Sequence, residues 1–174
     1  MESPFESPEH REAFARYGRV HYAIQILEYE LVNTYGVLSL LPERRITEDE
    51  AWEGRVDGFF DTGFTHTFGT LLKKIGNTGL LPDALMARLK TCKEERDFLV
   101  HRFFRYYLED HPRDEALETS MIARCDKAYD DLMALNYDLE AFSHGAAEKY
   151  GLTPQMIADE IEADRVKRQA SNGG

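Results

Sequence analysis

The sequence predicts an all-α protein, folded as an antiparallel bundle of four to six helices. Apolar residues recur at alternating steps of three and four over long stretches, and helix start and stop signals separate those stretches. No segment of the sequence sustains the alternation of apolar and polar residues that is typical of a half-buried strand. Long amphipathic helices of this kind bury their apolar faces against one another in a bundle.

The first predicted helix begins at Ser7-Pro8 and continues to Leu41. Serine is a favoured N-cap, and proline is favoured at the first helical position because it has no N–H to leave unpaired. Pro42 ends the helix, since proline cannot donate to the preceding turn. The apolar line of this helix comprises Val20, Ile24, Leu27, Leu31, Tyr35 and Leu38.

The next two predicted helices are shorter. Residues 47–50 read TEDE, a capping box with acidic residues in the first turn, and they open a second helix that reaches about Phe60. A third helix spans roughly Thr67 to Ile75. The segment GNTG at 76–79 is then expected to form a turn.

A central helix is predicted from Pro82-Asp83 to His111-Pro112, and a fifth from 113 to about 149. Gly151 is placed where a left-handed residue ends a helix, and a short last helix is expected over 154–167. The apolar line of the fifth helix comprises Leu117, Met121, Ala128, Leu132, Leu135, Leu139 and Phe142.

Length and composition indicate one domain, over 8–168, with a leader at 1–7 and a disordered tail at 169–174. The net charge of -11 argues against a general binder of nucleic acid or anionic membranes, although it leaves a local basic site open. The chain lacks a signal peptide and an apolar run of about 20 residues, so we expect a cytoplasmic protein. Cys92 and Cys125 are expected to be reduced core thiols.

The stretch 85–107 carries the candidate chemistry. Its apolar line comprises Leu85, Leu89, Cys92, Arg96, Leu99, Phe103 and Tyr106, so an arginine interrupts it. Burying that arginine without a partner is unfavourable. Three structural explanations stay open: the side chain reaches water along its own stem, it pairs with Glu28 or Glu30, or the line faces a second subunit.

Asp97 and His101 stand four residues apart and therefore share one face of the helix. At 100° per residue, His101 lies about 140° around the helix from Arg96. A single helix cannot aim the arginine and the histidine at one spot. The sequence has no E-x-x-H pair or other metal-ligand spacing, so we expect neither a metal nor a cofactor.

The segment RDFLVH at 96–101 resembles the R-x4-6-H motif of HEPN domains, in which a polar residue often follows the arginine. The surrounding ERDFLVHRFF is similar to "RN-x-L-x-H-x-F-F" segments of small bacterial HEPN-like proteins, and TFGTLL at 67–72 resembles their "TLG-x-L" stretch. The long first helix around QILEY at 25–29 is similar too. The resemblance covers roughly 17–107.

The resemblance implies a helical bundle and, for many members, a metal-independent endoribonuclease whose composite site forms between two subunits of a homodimer. It implies that His101 is the general acid and base that lets the RNA 2′-hydroxyl attack the phosphate, since histidine titrates near neutral pH. Arg96 would bind the phosphate, and Asp97 would orient one of the two. A toxin or defence role is typical of such proteins.

The stretch 85–107 contains six basic and three acidic residues within an acidic chain. We predict that Lys93, Arg102, Arg105 and Tyr106 contact the substrate, with the aromatic rings stacking on bases. Alternatively, the charges form a solvated face and the aromatics belong to the core.

Phe103 stands where toxin members that pair with a nucleotidyltransferase antitoxin carry a tyrosine. That departure argues against this pairing, although an antitoxin-like partner of some kind stays among the expectations. The alternative to a nuclease is a non-catalytic module that dimerises or binds a nucleotide or protein. A helical metalloenzyme is a third and weaker hypothesis, because metal-ligand pairs are missing.

Overall fold

The computed structural model describes residues 8–46, 49–109 and 115–153, together with residues 155, 156, 158, 159, 162, 165, 166 and 169. The predicted leader at 1–7 lies outside these residues. Five α-helices form the described fold: α1 (Pro8–Leu40), α2 (Asp49–Gly63), α3 (Phe68–Thr78), α4 (Asp83–His101) and α5 (Glu115–Glu148). A 3-10 turn (Leu41–Ile46) follows α1, and a π-helical segment (Arg105–Glu109) follows α4.

The all-α class predicted from the sequence is confirmed, since the described residues include no strand. Within those same residues, no helix is long and apolar enough to cross a membrane. The apolar lines of α1 and α5 face the core, where Leu27, Leu31 and Leu139 are fully buried. Burial of each such side chain contributes roughly 1.5–3 kcal/mol to folding.

α4 runs antiparallel to both α1 and α5, whereas α1 and α5 run parallel. Arg16 bonds to Asp126 and Glu30 bonds to Ser143, so the partner in α5 lies 110 residues further along in one case and 113 in the other. Because the sequence separation between contacting residues stays nearly the same along the two helices, α1 and α5 must point the same way. In a bundle of five helices with antiparallel neighbours, the first and the last share one direction, so their packing is necessarily parallel.

The helix ends agree with the sequence signals at most boundaries. Pro8 begins α1, Thr67 caps α3 by accepting a hydrogen bond from the Thr70 N–H, and Gly151 is left-handed with φ 84°. The turn expected at 76–79 begins later than predicted, because α3 continues through Thr78 before Gly79 turns at φ 65°. The first two residues of the capping box at 47–50 lie outside the described residues.

α2 ends at Gly63, three residues beyond the predicted Phe60. The described residues between 155 and 169 are helical, in agreement with the short last helix. The Thr153 hydroxyl accepts a hydrogen bond from the Met156 N–H at 3.3 Å, which is the arrangement of an N-cap.

The central helix is shorter than predicted. It ends at His101, and Arg102 leaves the helical conformation with φ -129° and ψ -15°. The Tyr17 hydroxyl of α1 donates a hydrogen bond to the Leu99 carbonyl at 3.0 Å, which satisfies a backbone acceptor in the last turn. In the wider π-helical turn that follows, Tyr107 is buried (6% exposed) in place of the predicted Tyr106.

Candidate functional site

Arg96 is held against α1 by a carboxylate. Its Nη2 and Nε lie 2.8 and 3.2 Å from the same oxygen of Glu28, and its Nη1 lies 3.2 Å from Asp97. The side chain is only 21% exposed. Of the three explanations left open for this arginine, the pairing with Glu28 is the one observed. Because the guanidinium and the carboxylate are both partly desolvated here, the pair links α4 to α1, and removing either group would leave the other as an uncompensated, partly buried charge.

Asp97 faces a second cation on its own helix. The Lys93 ammonium donates to one carboxylate oxygen of Asp97, while Arg96 donates to the other. The hydrogen bond from Lys93, together with that from Arg96, lowers the pKa of Asp97 below its usual range. We call Glu28, Lys93, Arg96 and Asp97 the paired cluster; its two acids and two bases leave no net charge.

His101, Arg102 and Arg105 lie at the end of α4 and are exposed to solvent. Their side chains have no hydrogen-bond or ion-pair partner among the described residues. Most of the other described arginines are engaged: an ion pair or an aromatic ring holds Arg16, Arg19, Arg55, Arg88, Arg96, Arg124 and Arg165. We call His101, Arg102, Arg105 and Tyr106 the exposed cluster; Tyr106 is 39% exposed.

An aromatic layer supports the exposed cluster from within. Phe103 is buried, and its ring lies 5.0 Å from the rings of Tyr17 and Tyr107. Phe98 contacts Tyr106 edge to face, with centroids 5.8 Å apart. The segment after His101 is therefore fixed by ring packing even though it has left the α-helical conformation.

Two residues that the sequence did not single out also hold this end of α4. Arg124 of α5 donates two hydrogen bonds of 2.8 Å to the carboxylate of Glu95, and its guanidinium lies 3.7 Å above the ring of Phe98. The planar guanidinium suits both contacts at once. No local signal relates Arg124 to Glu95, because 29 residues separate them.

The sequence-predicted site residues thus divide into two groups. Lys93, Arg96 and Asp97 lie together in the paired cluster, whereas His101, Arg102, Arg105 and Tyr106 lie in the exposed cluster. The helix separates Arg96 and His101 by about 140°. Leu99 and Phe103, on the apolar line suggested for a subunit interface, are buried within the chain.

A groove of about 390 Å³ opens between α4 and α5 beside the paired cluster. Its lining residues are Ala87, Arg88, Thr91, Cys92, Glu95, Arg96, Leu99, Ala128, Asp131, Leu132, Ala134 and Leu135. Burial raises the pKa of Cys92 to about 12, and of Cys125 to about 11, so both stay thiols at neutral pH. The described residues contain no cluster of histidines, cysteines and carboxylates able to hold a metal.

Comparison with known proteins finds no matching family model, no matching curated protein and no matching solved structure. The residues of the two clusters therefore carry the functional argument.

Proposed function

We propose that the protein binds the phosphate groups of RNA or of a nucleotide through the exposed cluster, as a non-catalytic helical module. The observation behind this proposal is that the arginine within α4 is paired with carboxylates, whereas the two arginines just after α4 are not. Two carboxylates hold Arg96, whereas Arg102 and Arg105 reach solvent without an ionic partner among the described residues. Guanidinium groups match phosphate oxygens with planar, paired donors.

The exposed ring of Tyr106 adds a surface on which a base can stack, at the side of the two arginines. The overall charge of -11 does not cancel this site, because charges are screened over about 8 Å at physiological salt. Lys93, which the sequence suggested as a substrate contact, is committed to Asp97 and is left out of the proposed site. Two unpaired thiols fit a reducing compartment, so we propose a cytoplasmic location.

The second candidate is a HEPN-like, metal-independent endoribonuclease, acting as a homodimer in a toxin or defence role. The exposed His101, flanked by Arg102, favours it, because a histidine reached by solvent can exchange protons with a bound RNA. Arg96 would have to leave Glu28 and Asp97 to bind phosphate, and a second copy would have to bring the two groups together. An antitoxin-like partner protein belongs with this candidate.

A titration of fluorescently labelled single-stranded RNA tests the binding proposal. We expect saturable binding that weakens as salt is raised, because arginine–phosphate contacts release counterions. Absence of binding at low salt would contradict the proposal.

A cleavage assay in the presence of a chelator separates the two candidates. The binding module is expected to leave the RNA intact. Metal-independent cleavage that is abolished in His101→Ala, with the helical content of the variant unchanged, would establish the nuclease instead. Cleavage that persists in that variant would point to a contaminating enzyme.

A further inference from the structure

Arg124 of α5 interacts with the chain on both sides of the point where α4 leaves the helical conformation. Its guanidinium donates to Glu95 and lies 3.7 Å from the ring centre of Phe98, and both residues precede the departure at Arg102. The hydrogen bonds to Glu95 raise the pKa of Arg124 against the opposing effect of burial, and the hydroxyl of Tyr107, which follows the departure, raises that pKa as well. One guanidinium thus links the end of α4 to the π-helical segment.

The two aromatic residues beside Arg124 are also the ones that hold the ring of Tyr106. Tyr106 packs edge to face against Phe98 at a centroid distance of 5.8 Å, and in the same way against Tyr107 at 5.0 Å. Phe98 is half-buried and Tyr107 is buried, so the fold supports both rings. Because Arg124 restrains Phe98 and Tyr107 together, the orientation of the Tyr106 ring depends on a residue of α5.

Arg124 acts on the exposed cluster through these rings and not as a phosphate ligand. Both carboxylate oxygens of Glu95 accept from its guanidinium, at 2.8 Å each, so its paired donors are already occupied. A planar guanidinium can bond a carboxylate in its own plane while its face covers a ring. A lysine at this position would keep the positive charge but could not make both contacts at once.

Base stacking and phosphate binding are separable within the exposed cluster. Arg102 and Arg105 are suited to phosphates, whose charge is the same whatever bases the strand carries. Tyr106 is 39% exposed, and an aromatic ring can stack on any unpaired base. A ring that the fold already holds in place loses less conformational freedom when a base stacks on it. Restraint of Tyr106 therefore favours ligands that carry bases.

We infer that Arg124 is a positioning residue that gives the exposed cluster a preference for single-stranded RNA over a phosphodiester strand without bases. This inference rests on the proposed binding of phosphates by Arg102 and Arg105, and it adds the class of ligand. The strand must be single, because the bases of a duplex are paired and stacked on one another, whereas unpaired bases are free to stack on an aromatic side chain.

Anisotropy titrations with a labelled single-stranded RNA and with an abasic strand of equal length test this inference. The wild type should bind the RNA at least about fivefold more tightly than the abasic strand. Arg124→Lys should bind the abasic strand within about twofold of the wild type, since the charge is kept, while its preference for RNA falls to about twofold or less. A general loss of structure would instead weaken the binding of both strands alike.

Arg16→Lys is the matched control. Arg16 joins α1 to α5 through Asp126, and the side chains of this pair are 34% and 42% exposed, against 34% and 39% for Arg124 and Glu95. The control should keep the full preference for RNA. Phe98→Leu removes the ring that lies between Arg124 and Tyr106, so it should lower the preference as Arg124→Lys does.

The results distinguish failure of this inference from failure of the proposed function. A wild type that binds the two strands equally, or an Arg124→Lys variant that keeps the wild-type preference, would overturn the positioning role and leave phosphate binding intact. An equal loss of the preference in Arg16→Lys would also overturn it, because any weakened helix contact would then have the same effect. A wild type that binds neither strand would overturn the proposed function and this inference together.

Discussion

The paired and exposed clusters lie within three turns of one another, yet the charges of one are paired within the fold and those of the other face solvent. In the paired cluster, Arg96 bridges two carboxylates and is largely withdrawn from water. In the exposed cluster, Arg102 and Arg105 are solvated and have no ionic partner among the described residues. The role of a charged residue at this end of the bundle is therefore set by the groups that the neighbouring helix presents to it.

The difference arises where α4 changes conformation. Up to His101 the chain is α-helical and packs against α1, so its charges meet Glu28 and one another. From Arg102 the backbone departs from the helix, and the aromatic residues take over the packing. The cations beyond the break are thereby left facing solvent. π-helical segments are frequent at functional sites, which is consistent with the function proposed for this end.

The largest expected effect concerns the aromatic layer beneath the exposed cluster. Phe103→Ala should lower the free energy of unfolding by about 3–5 kcal/mol, because a fully buried ring leaves a cavity. Tyr106→Ala, its matched control, should cost about 1 kcal/mol or less, since the ring is partly solvated. Urea denaturation followed by circular dichroism measures both values. Equal losses would show that Tyr106 is a core residue and would weaken its proposed role in stacking.

The helix boundaries differ in how well the sequence predicts them. Apolar spacing and caps predicted α1 and α5 almost to the residue, because these signals are local. The break at Arg102 was missed because the Tyr17 hydroxyl that bonds to Leu99 comes from 82 residues away. The packing of α1 directly against α5 was not predicted either, since apolar spacing carries no information on which helices contact each other.

The sequence did not predict how the candidate site residues divide into the paired and exposed clusters. Glu28 was one of two carboxylates proposed for Arg96, and 68 residues separate the two partners. Only the packing of α1 on α4 determines that Glu28, and not Glu30, pairs with Arg96. Local helix geometry, by contrast, did establish that Arg96 and His101 point apart.

A smaller effect is expected from the paired cluster. Arg96→Met should lower the free energy of unfolding by about 1–2 kcal/mol, because Glu28 is left partly buried without its cation. Arg102→Met should change it by less than about 0.5 kcal/mol, as is usual for a solvated residue. Equal losses in the two variants would remove the distinction between the clusters.

A double-mutant cycle checks the cause of that loss. In a Glu28→Met background, Arg96→Met should be less destabilising than in the wild type, because the orphaned carboxylate is gone. Denaturation of the four proteins under one set of conditions gives the coupling energy. A coupling energy of zero would mean that the ion pair contributes nothing to the fold.

The smallest expected effect is a dependence on pH. The pKa of Asp97 is lowered in the folded protein, chiefly by the hydrogen bond from Lys93, so its contribution to stability is present above the unfolded pKa. That contribution is lost as the pH falls below about 4 and through the folded pKa. The stability difference between the wild type and Asp97→Asn should therefore be constant from pH 5 to 7 and shrink in acid. A difference that grows in acid would contradict the pairing.

The division of roles between the two clusters is tested most directly by RNA binding of two matched variants. In an anisotropy titration with labelled single-stranded RNA, Arg102→Ala/Arg105→Ala should bind at least about tenfold more weakly than the wild type, because charge-assisted hydrogen bonds to phosphate are lost. Arg96→Met should bind within about twofold of the wild type while unfolding at lower urea. The reverse result, with Arg96→Met losing RNA and the double variant retaining it, would show that Arg96 is the phosphate ligand and would contradict this account.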